Sequence, residues 1–133
     1  MNTKDKGDFS EAKVLSRLKE RGYAVLTPFG DNQKYDLVYE SEEGFKKVQV
    51  KTGKAKEGKV TAKLYTSVSN RNQQEQKHYS KEEIDEFMIY CLTTNEVYRM
   101  PVEEAPNSEV SIRLEPAGNG QKKGINWRED YLF

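Results

Sequence analysis

Hydrophobic and polar positions follow a helical period early in the chain and a strand period afterwards. Residues 7–23 (GDFSEAKVLSRLKERGY) place apolar side chains about three to four positions apart, which predicts an amphipathic helix. Gly7 and Asp8 suit the start of this helix, and Gly22 suits its end. One helix followed by several strands and mixed later elements indicates an α/β or α+β fold built on a central sheet.

Short segments with alternating or continuous apolar residues predict the strands. They are YAVLTP at 23–28, YDLVYE at 35–40, FKKVQVKT at 45–52, KVTAKLYTSVS at 59–69, EFMIYCL at 86–92, EVYRMPV at 96–102 and EVSIRLE at 109–115. Because only residues 93–95 separate two of these segments, residues 86–102 are expected to form a buried hairpin.

Three other stretches have different compositions. Residues 70–85 (NRNQQEQKHYSKEEID) are polar as far as Ile84, which predicts a loop or an exposed arm. Residues 116–124 (PAGNGQKKG) predict a loop. Residues 125–133 (INWREDYLF) carry three aromatic side chains, and we expect them to pack back onto the domain.

The predicted helix contains a carboxylate on its apolar side. At about 100° per residue, Glu11 falls inside the apolar stripe. The stripe consists of Ala12, Val14, Leu15 and Leu18. A carboxylate that faces a core is costly unless it is paired or binds a metal. Glu11 is therefore either a functional residue or the partner of Asp8 in a capping box at the helix start.

The segment FKKVQVKTG at 45–53 has a polar face that is unusual for a central strand. Val48 and Val50 mark its apolar face, whereas Lys47, Gln49 and Lys51 alternate with them on the other. This polar face is exposed to solvent or has a function.

The register of the preceding hairpin follows from its loop. Residues 41–44 (SEEG) can join the two strands as a short loop that ends in Gly. Pairing Glu40 with Phe45 then places Leu37 opposite Val48 and builds one continuous apolar face.

The same register predicts a cluster on the polar face. It sets Asp36 opposite Gln49, with Lys51 roughly 7 Å further along the strand. Carboxylate and amide oxygens suit Mg²⁺, and a neighbouring ammonium can offset charge on a reacting phosphate. The cluster thus indicates metal-assisted phosphodiester hydrolysis, with an ordinary solvated sheet face as the alternative interpretation.

Length and composition narrow the class of protein. A chain of 133 residues predicts a single domain spanning 1–133. Cys91 is the only cysteine, which excludes an internal disulfide and a cysteine-based zinc site, and we expect it in the core. His78 is the only histidine and is expected at the surface. With no apolar run of membrane length and no signal peptide, we expect a soluble, cytoplasmic protein.

Charge is distributed unevenly although the formal net charge is zero. Residues 44–64 contain seven lysines against the single Glu57, so part of the surface can be basic while the whole protein is neutral. A solvated face without a partner is the simpler interpretation of such a run.

The spaced residues Glu11, Asp36 and Gln49-Val50-Lys51 resemble the active-site signature of PD-(D/E)XK nucleases. In that signature a helix Glu precedes an Asp on one strand and an acidic-x-Lys on the next. Longer blocks extend the resemblance over nearly the whole chain, at residues 7–40, 48–53, 65–72, 97–106 and 124–133. Together they resemble the group I intron-associated PD-(D/E)XK homing endonucleases.

The resemblance implies an α/β restriction-endonuclease-like core, in which an N-terminal helix packs on a mixed central β-sheet beside a β-rich C-terminal part. It implies cleavage of both strands of double-stranded DNA with Mg²⁺ or Mn²⁺ as cofactor. Asp36 takes the role of metal-binding carboxylate, Glu11 that of the helix carboxylate and Lys51 that of the catalytic lysine. Homo-oligomers with paired active sites, dimers or tetramers, are also implied.

DNA contacts follow from the same resemblance. Lys54, Lys56 and Lys59 are expected to neutralise phosphates without reading sequence. Residues 69–74 are rich in amide and guanidinium groups, of the kind that read base edges in the major groove, and we name Asn70 and Arg71 as contacts. A disordered polar loop is the alternative interpretation of that stretch.

The chain departs from the signature at two positions. Tyr35 precedes Asp36 where the signature has Pro, a position only loosely kept in the superfamily. Gln49 stands where Asp or Glu is expected, and an amide oxygen can ligate Mg²⁺ but brings no charge and cannot act as a base. We favour Gln49 as a neutral ligand, with Asp36 and Glu11 supplying the charge, over loss of the metal.

Three other functions are compatible with these residues. A structure-selective nuclease similar to Holliday-junction resolvases shares the same core. A catalytically decayed module that only binds DNA would account for Gln49. A stably folded protein whose lysines are merely solvated would account for the neutral net charge.

Overall fold

The computed structural model of the protein describes residues 1–116, 120 and 124–133. Helix α1 (Thr3–Glu20) comes first. The strands are β1 (Val25–Leu26), β2 (Leu37–Ser41), β3 (Gly44–Lys56), β4 (Lys59–Lys63), β5 (Thr66–Asn70), β6 (Gln73–Lys77), β7 (Glu86–Cys91), β8 (Glu96–Pro101), β9 (Glu109–Arg113) and β10 (Asn126–Trp127). A 3-10 turn (Val102–Glu104) follows β8, and helix α2 (Arg128–Tyr131) follows β10. Most of the loop predicted at 116–124 lies outside the described residues.

Helix α1 begins earlier than the sequence pattern predicts. Asn2 caps its N-terminus, and the side-chain oxygen of Asn2 accepts the amide hydrogen of Asp5 at 2.9 Å. The predicted start at Gly7 is therefore wrong. The first turns carry almost no apolar side chain, so the hydrophobic period does not reveal them. The predicted end is confirmed, because Gly22 takes the positive φ of 85° that is common after a helix.

The early start decides between the two interpretations of Glu11. Asp8 lies inside the helix and Asn2 is the N-cap residue, so Asp8 and Glu11 cannot form a capping box. Glu11 is half-buried and is not needed to cap its own helix.

One face of α1 packs against the sheet. Ser10, Val14 and Leu18 are fully buried and Leu15 is half-buried, whereas Ala12, which the predicted stripe includes, is exposed. The helix covers a core cluster drawn mainly from β2, β3, β7 and β8, which contains Leu37, Tyr39, Val48, Val50, Met88, Tyr90 and Val97.

Strand β3 is the centre of a mixed sheet, as the sequence predicts. β2 pairs with it antiparallel on one side and β7 pairs with it parallel on the other, while β1 and β8 extend these two sides. The last residues of β3 pair with β4, and the sheet continues through β9 to β10. A second core cluster on the other face includes Val60, Ile89, Cys91, Tyr98 and Ile112.

Several smaller predictions are confirmed. Strands β7 and β8 form the buried hairpin. Cys91 is buried and His78 is exposed. The C-terminus packs back onto the domain, since Phe133 is buried and its amide donates to the Val97 carbonyl at 2.9 Å. The carbonyl of Phe133 accepts a hydrogen bond from Arg17 Nη1 at 2.8 Å.

The polar middle of the chain is more regular than predicted. The expected strand at 59–69 is two strands in different sheets, and the expected loop contains β6. β5 and β6 pair antiparallel as a separate two-stranded sheet, called here the β5–β6 ribbon. Arg71 and Asn72 form its turn, both with positive φ, and every residue of β6 is exposed, so the alternative of an exposed arm is confirmed.

No helix in the described part of the chain is both long enough and apolar enough to cross a membrane.

Candidate active site

The end of β2 presents an aspartate to the edge of β3. The pairs Glu40–Phe45 and Leu37–Val48 form as predicted, but the ladder ends at Leu37, so the expected pairing of Asp36 with Gln49 does not occur.

Asp36 instead bonds to β3 through both its backbone and its side chain. Its amide donates to the Val48 carbonyl at 2.8 Å, and its Oδ2 accepts the Val50 amide hydrogen at 2.9 Å. β2 no longer covers the Val50 amide, so the carboxylate takes the place of the missing strand partner. These bonds hold Asp36 beside Gln49 and Lys51 rather than directly across from Gln49.

Glu11 and Asp36 line one cavity of about 250 Å³. Burial is the main cause that raises the pKa of each carboxyl, and the negative charge of Asp36 raises the pKa of Glu11 further. The Val50 amide and the Lys51 ammonium lower the pKa of Asp36 in part. The loop between β1 and β2 supplies the rest of the wall with Thr27, Pro28, Gly30, Asp31, Gln33 and Tyr35. Two partly buried carboxylates that share a cavity favour a bound cation.

Lys51 is close enough to Asp36 for the two charges to interact, but its ammonium is hydrogen-bonded to other groups. Burial lowers the pKa of its ammonium and the charge of Asp36 opposes that shift. Its Nζ donates to the Tyr65 carbonyl at 3.2 Å, lies 3.5 Å from Thr66 Oγ1 and stands 5.2 Å from the centre of the Tyr79 ring.

Gln49 shares the polar face of β3 with Lys51 and is half-buried. Its backbone pairs with Phe87 of β7. None of the hydrogen bonds among the described residues joins the Gln49 side chain to Glu11 or Asp36. The structure therefore places Glu11 and Lys51 each within electrostatic reach of Asp36, and Gln49 lies beside Lys51 on the polar face of β3.

The donor set fits a hard divalent cation. Within residues 1–116, 120 and 124–133, no three His, Cys, Asp or Glu side chains cluster as a metal site. The predicted oxygen ligands are the carboxylates of Glu11 and Asp36 and the amide of Gln49, and Asp31 and Gln33 line the same cavity as the two carboxylates. Mg²⁺ needs only one or two carboxylates because it keeps several waters.

The predicted phosphate contacts lie on the β3–β4 hairpin. Lys54 and Lys56 are exposed and Lys59 is half-buried. Lys56 is directly opposite Lys59, and Lys59 is directly opposite Arg113 of β9, so three cations form a line across the strands, called here the basic row. Like charges directly opposite each other destabilise a sheet unless an anion separates or neutralises them.

The other two predicted contacts lie at the tip of the β5–β6 ribbon. Arg71 is exposed in its turn. The backbone of Asn70 pairs with Gln73, and the Asn70 side chain lies outside what the structure describes.

Sequence reasoning missed several groups that support the site. Ser10 Oγ and Thr52 Oγ1 are 2.6 Å apart and join α1 to β3 beside Glu11 and Lys51. Ser10 precedes the buried Val14 and Leu18 by about one and two helical turns, a spacing that could have marked it as buried. No comparable spacing in the sequence marks the contacts of Lys51 with Tyr65, Thr66 and Tyr79.

The comparisons with known proteins agree with the fold. The model of the PD-(D/E)XK endonuclease family matches residues 1–133. A solved structure described as a bacterial homing endonuclease, I-Ssp6803I, is similar with a TM-score of 0.80 and 28% identity, covering 99% of this chain and 89% of that one. Among curated proteins, none matches significantly. The restriction-endonuclease-like core implied by the sequence is confirmed, and the chain belongs to the PD-(D/E)XK endonuclease family.

Proposed function

We propose that the protein is a metal-dependent endonuclease that hydrolyses phosphodiester bonds at a specific site in double-stranded DNA, with intron homing as its role. The observation that carries the proposal is the shared cavity of Glu11 and Asp36, with the Lys51 ammonium inside the field of Asp36. The likeness to a structure described as a homing endonuclease supports the choice of substrate.

Asp36, Glu11 and Gln49 would hold Mg²⁺ or Mn²⁺ as a cofactor. The cation would supply positive charge for the scissile phosphate and lower the pKa of water at the site. Asp36 is fixed for this task by the Val50 amide, and Glu11 by the burial of its helix face. Gln49 adds a neutral oxygen, so the two carboxylates set the net charge of the site.

Lys51 would act on the phosphate itself. Its ammonium is half-buried, so a phosphate oxygen that it binds experiences less screening by water than at a free surface. This positive charge offsets the negative charge that develops as the bond to phosphorus breaks. Lys51 also lines a cavity of about 360 Å³ with Lys6, Lys54 and Lys63, which adds to the positive potential there.

The DNA backbone would follow the basic row. Lys56, Lys59 and Arg113 face one another across the strands, and phosphates bound along them would neutralise these charges. Lys54, also on β3, lines the same cavity as Lys51.

The β5–β6 ribbon would read bases. A two-stranded ribbon fits the major groove, and this one exposes all of β6, with Gln73, Gln74 and Gln76, on a sheet of its own. Arg71 lies at its tip, and a guanidinium pairs well with the edge of a guanine.

A second copy of the chain would complete the enzyme. Each chain offers one set of catalytic groups, and a double-strand cut needs two, so we propose a homo-oligomer, either a dimer or a tetramer. Light scattering on the free protein and on its DNA complex measures the number of chains.

The direct test is cleavage of a randomised duplex library with Mg²⁺, followed by sequencing of the ends. We expect a shared motif at the ends made by the wild type and none with Lys51→Ala, while Lys19→Ala on the exposed side of α1 cuts like the wild type. Equal cutting by Lys51→Ala contradicts the assignment. A preference for four-way junctions over linear duplexes favours a resolvase-like nuclease instead, and Asp36-independent DNA binding without cleavage favours a decayed module.

A further inference from the structure

The ammonium of Lys51 is held by both ends of the β5–β6 ribbon. Tyr65, immediately before β5, accepts its hydrogen bond through the backbone carbonyl, and Thr66, the first residue of β5, lies within reach through Oγ1. Tyr79, just after β6, presents its ring to the same ammonium at 5.2 Å. The three groups come from two segments that enter and leave one ribbon.

Tyr79 is itself fixed in place. Its hydroxyl is hydrogen-bonded to Thr66 Oγ1, which ties the two ends of the ribbon together. Its ring meets the ring of Phe87 edge-on with centroids 5.7 Å apart, and Phe87 is buried in the core on β7. The aromatic face below Lys51 is therefore anchored both to the ribbon and to the central sheet.

A lysine needs such support to act as a defined charge. Its four-carbon stem has many rotamers, and only a small part of them brings the ammonium to a given phosphate oxygen. The ring of a tyrosine attracts the cation without neutralising it, so the ammonium keeps its full charge for a ligand. A carboxylate in the same place would pair with the lysine and compete with the phosphate.

We propose that Tyr79 is the positioning residue for Lys51, and that Thr66 and Tyr79 couple the ribbon to the cleavage step. The inference rests on the proposed function of Lys51. A DNA duplex that moves the ribbon moves the Tyr65 carbonyl and the Thr66 hydroxyl relative to the Tyr79 ring, which Phe87 holds on the central sheet. Contact at the ribbon and placement of Lys51 are then one event.

The first test needs no DNA and no metal. Lysine side chains are methylated with ¹³C, and the Lys51 signal is assigned by its loss in Lys51→Arg. We expect the Tyr79 ring to shift this signal upfield in the wild type, Tyr79→Leu to abolish the shift, and Tyr79→Phe to keep it. Tyr131→Leu, which removes a half-buried tyrosine bonded to Glu104, serves as the matched control and should leave the signal unchanged. A Lys51 signal that is the same in Tyr79→Leu and the wild type overturns the proposal.

The second test measures cleavage in a single turnover. We expect Tyr79→Leu to cut about tenfold more slowly, the loss of one partly desolvated cation–π contact, with its DNA Kd within about twofold of the wild type. In a Lys51→Ala background, assayed at enzyme concentrations high enough to show its slow residual cleavage, the same substitution should change the rate no further, because the group that it positions is gone. A similar loss in both backgrounds shows a merely structural role for Tyr79 and overturns the inference.

Failure of the Tyr79 variant to fold and failure of the proposed function can each be distinguished from failure of the inference. If Tyr79→Leu does not fold, Thr66→Val at the exposed end of β5 is used instead, since it removes the hydroxyl contacts with Lys51 and Tyr79. We expect Thr66→Val to reduce the cleavage rate by about threefold and to displace the Lys51 signal. If the wild type cuts no DNA, the proposed function fails while the Lys51 signal still decides whether Tyr79 positions it.

Discussion

The hydroxyl oxygens of Ser10 and Thr52 are 2.6 Å apart, and this hydrogen bond joins α1 to β3. Ser10 is completely buried and directly precedes Glu11, while Thr52 directly follows Lys51. The bond therefore fixes the distance between the two backbones that carry the helix carboxylate and the lysine. Among the side-chain hydrogen bonds of the described residues, it is the one that joins α1 to β3.

Removing both hydroxyls should destabilise the protein by less than the sum of the two single removals. We expect Ser10→Ala or Thr52→Val to lower the free energy of unfolding by about 1–3 kcal/mol, because the first leaves the half-buried Thr52 hydroxyl and the second the buried Ser10 hydroxyl without this partner. The double variant should lose less than the sum of the two. Urea denaturation of the four proteins measures this, with Ser16→Ala on the exposed face of α1 as the control. Strictly additive losses would show that the two hydroxyls do not interact.

Neutralising either cavity carboxylate should stabilise the free protein. Burial and the charge of Asp36 raise the pKa of Glu11, so its ionised form is unfavourable at neutral pH. We expect Glu11→Gln and Asp36→Asn to raise the free energy of unfolding at pH 7, seen as a higher Tm. Both should lose the further stabilisation that Mg²⁺ gives the wild type.

Thermal melts with Mg²⁺ and with a chelator provide the measurement. Glu42→Gln, in the exposed turn between β2 and β3, is the matched control and should respond to Mg²⁺ like the wild type. Stabilisation of Asp36→Asn by Mg²⁺ equal to that of the wild type would remove Asp36 from the metal site.

The sheet register and the site residues follow from the sequence for the same physical reason. A period of two decides which side chains of β2 and β3 are buried, and a slip of one residue would expose Leu37 and Val48 together. That constraint is strong enough to place Asp36 near Lys51 from pattern alone. The register does not determine the exact position of Asp36, because that position depends on a hydrogen bond from the Val50 amide, which β2 leaves free where it ends.

The β5–β6 ribbon and the start of α1 could not be predicted from the pattern of hydrophobic residues. β6 has no buried side chain, and its pairing with β5 is made by backbone groups that every sequence carries. The first turns of α1 are exposed too, so only the Asn2 cap marks them. Hydrophobic periodicity predicts helices and strands that have a buried face, so it does not predict elements whose side chains are all exposed.

Glu86 should make stability depend on pH. It is only 6% exposed, and burial is the main cause that raises its pKa from 4.5, against the opposing effects of Tyr39 and Arg99. A carboxyl with a raised pKa binds its proton more tightly in the folded state, so it stabilises the fold below about pH 4.5. That contribution disappears as pH rises through the raised value.

We therefore expect wild type to lose stability relative to Glu86→Gln as pH increases from about 4 to 7. Gln keeps an oxygen that can accept the hydrogen bond from Tyr39. Urea midpoints measured across this range for both proteins test the trend, with Glu40→Gln at an exposed position of β2 as control. A difference that is constant with pH would mean that Glu86 titrates at its ordinary value.

Charge removal in the basic row should weaken DNA binding and stabilise the free protein. Lys56→Gln and Lys59→Gln each remove a cation that faces another cation across the strands, so both should raise the melting temperature without DNA. Each should also reduce the slope of log Kd against log salt by about 1, the release of one counterion. Fluorescence anisotropy at several salt concentrations measures the slope, with Lys19→Gln as control. An unchanged slope in both variants would place the DNA elsewhere.

Gln49→Glu should increase the affinity for Mg²⁺. A carboxylate at position 49 adds a unit of negative charge to the oxygen donors, and we expect about tenfold tighter binding, or ~1.4 kcal/mol. Gln49→Ala should bind more weakly than the wild type, since it removes the neutral oxygen and leaves the charge unchanged. Isothermal calorimetry compares the three proteins, each repeated with Asp36→Asn to isolate the specific site. If Gln49→Ala binds Mg²⁺ like the wild type and Gln49→Glu binds no tighter, residue 49 lies outside the metal's coordination, and the two carboxylates with water hold it alone.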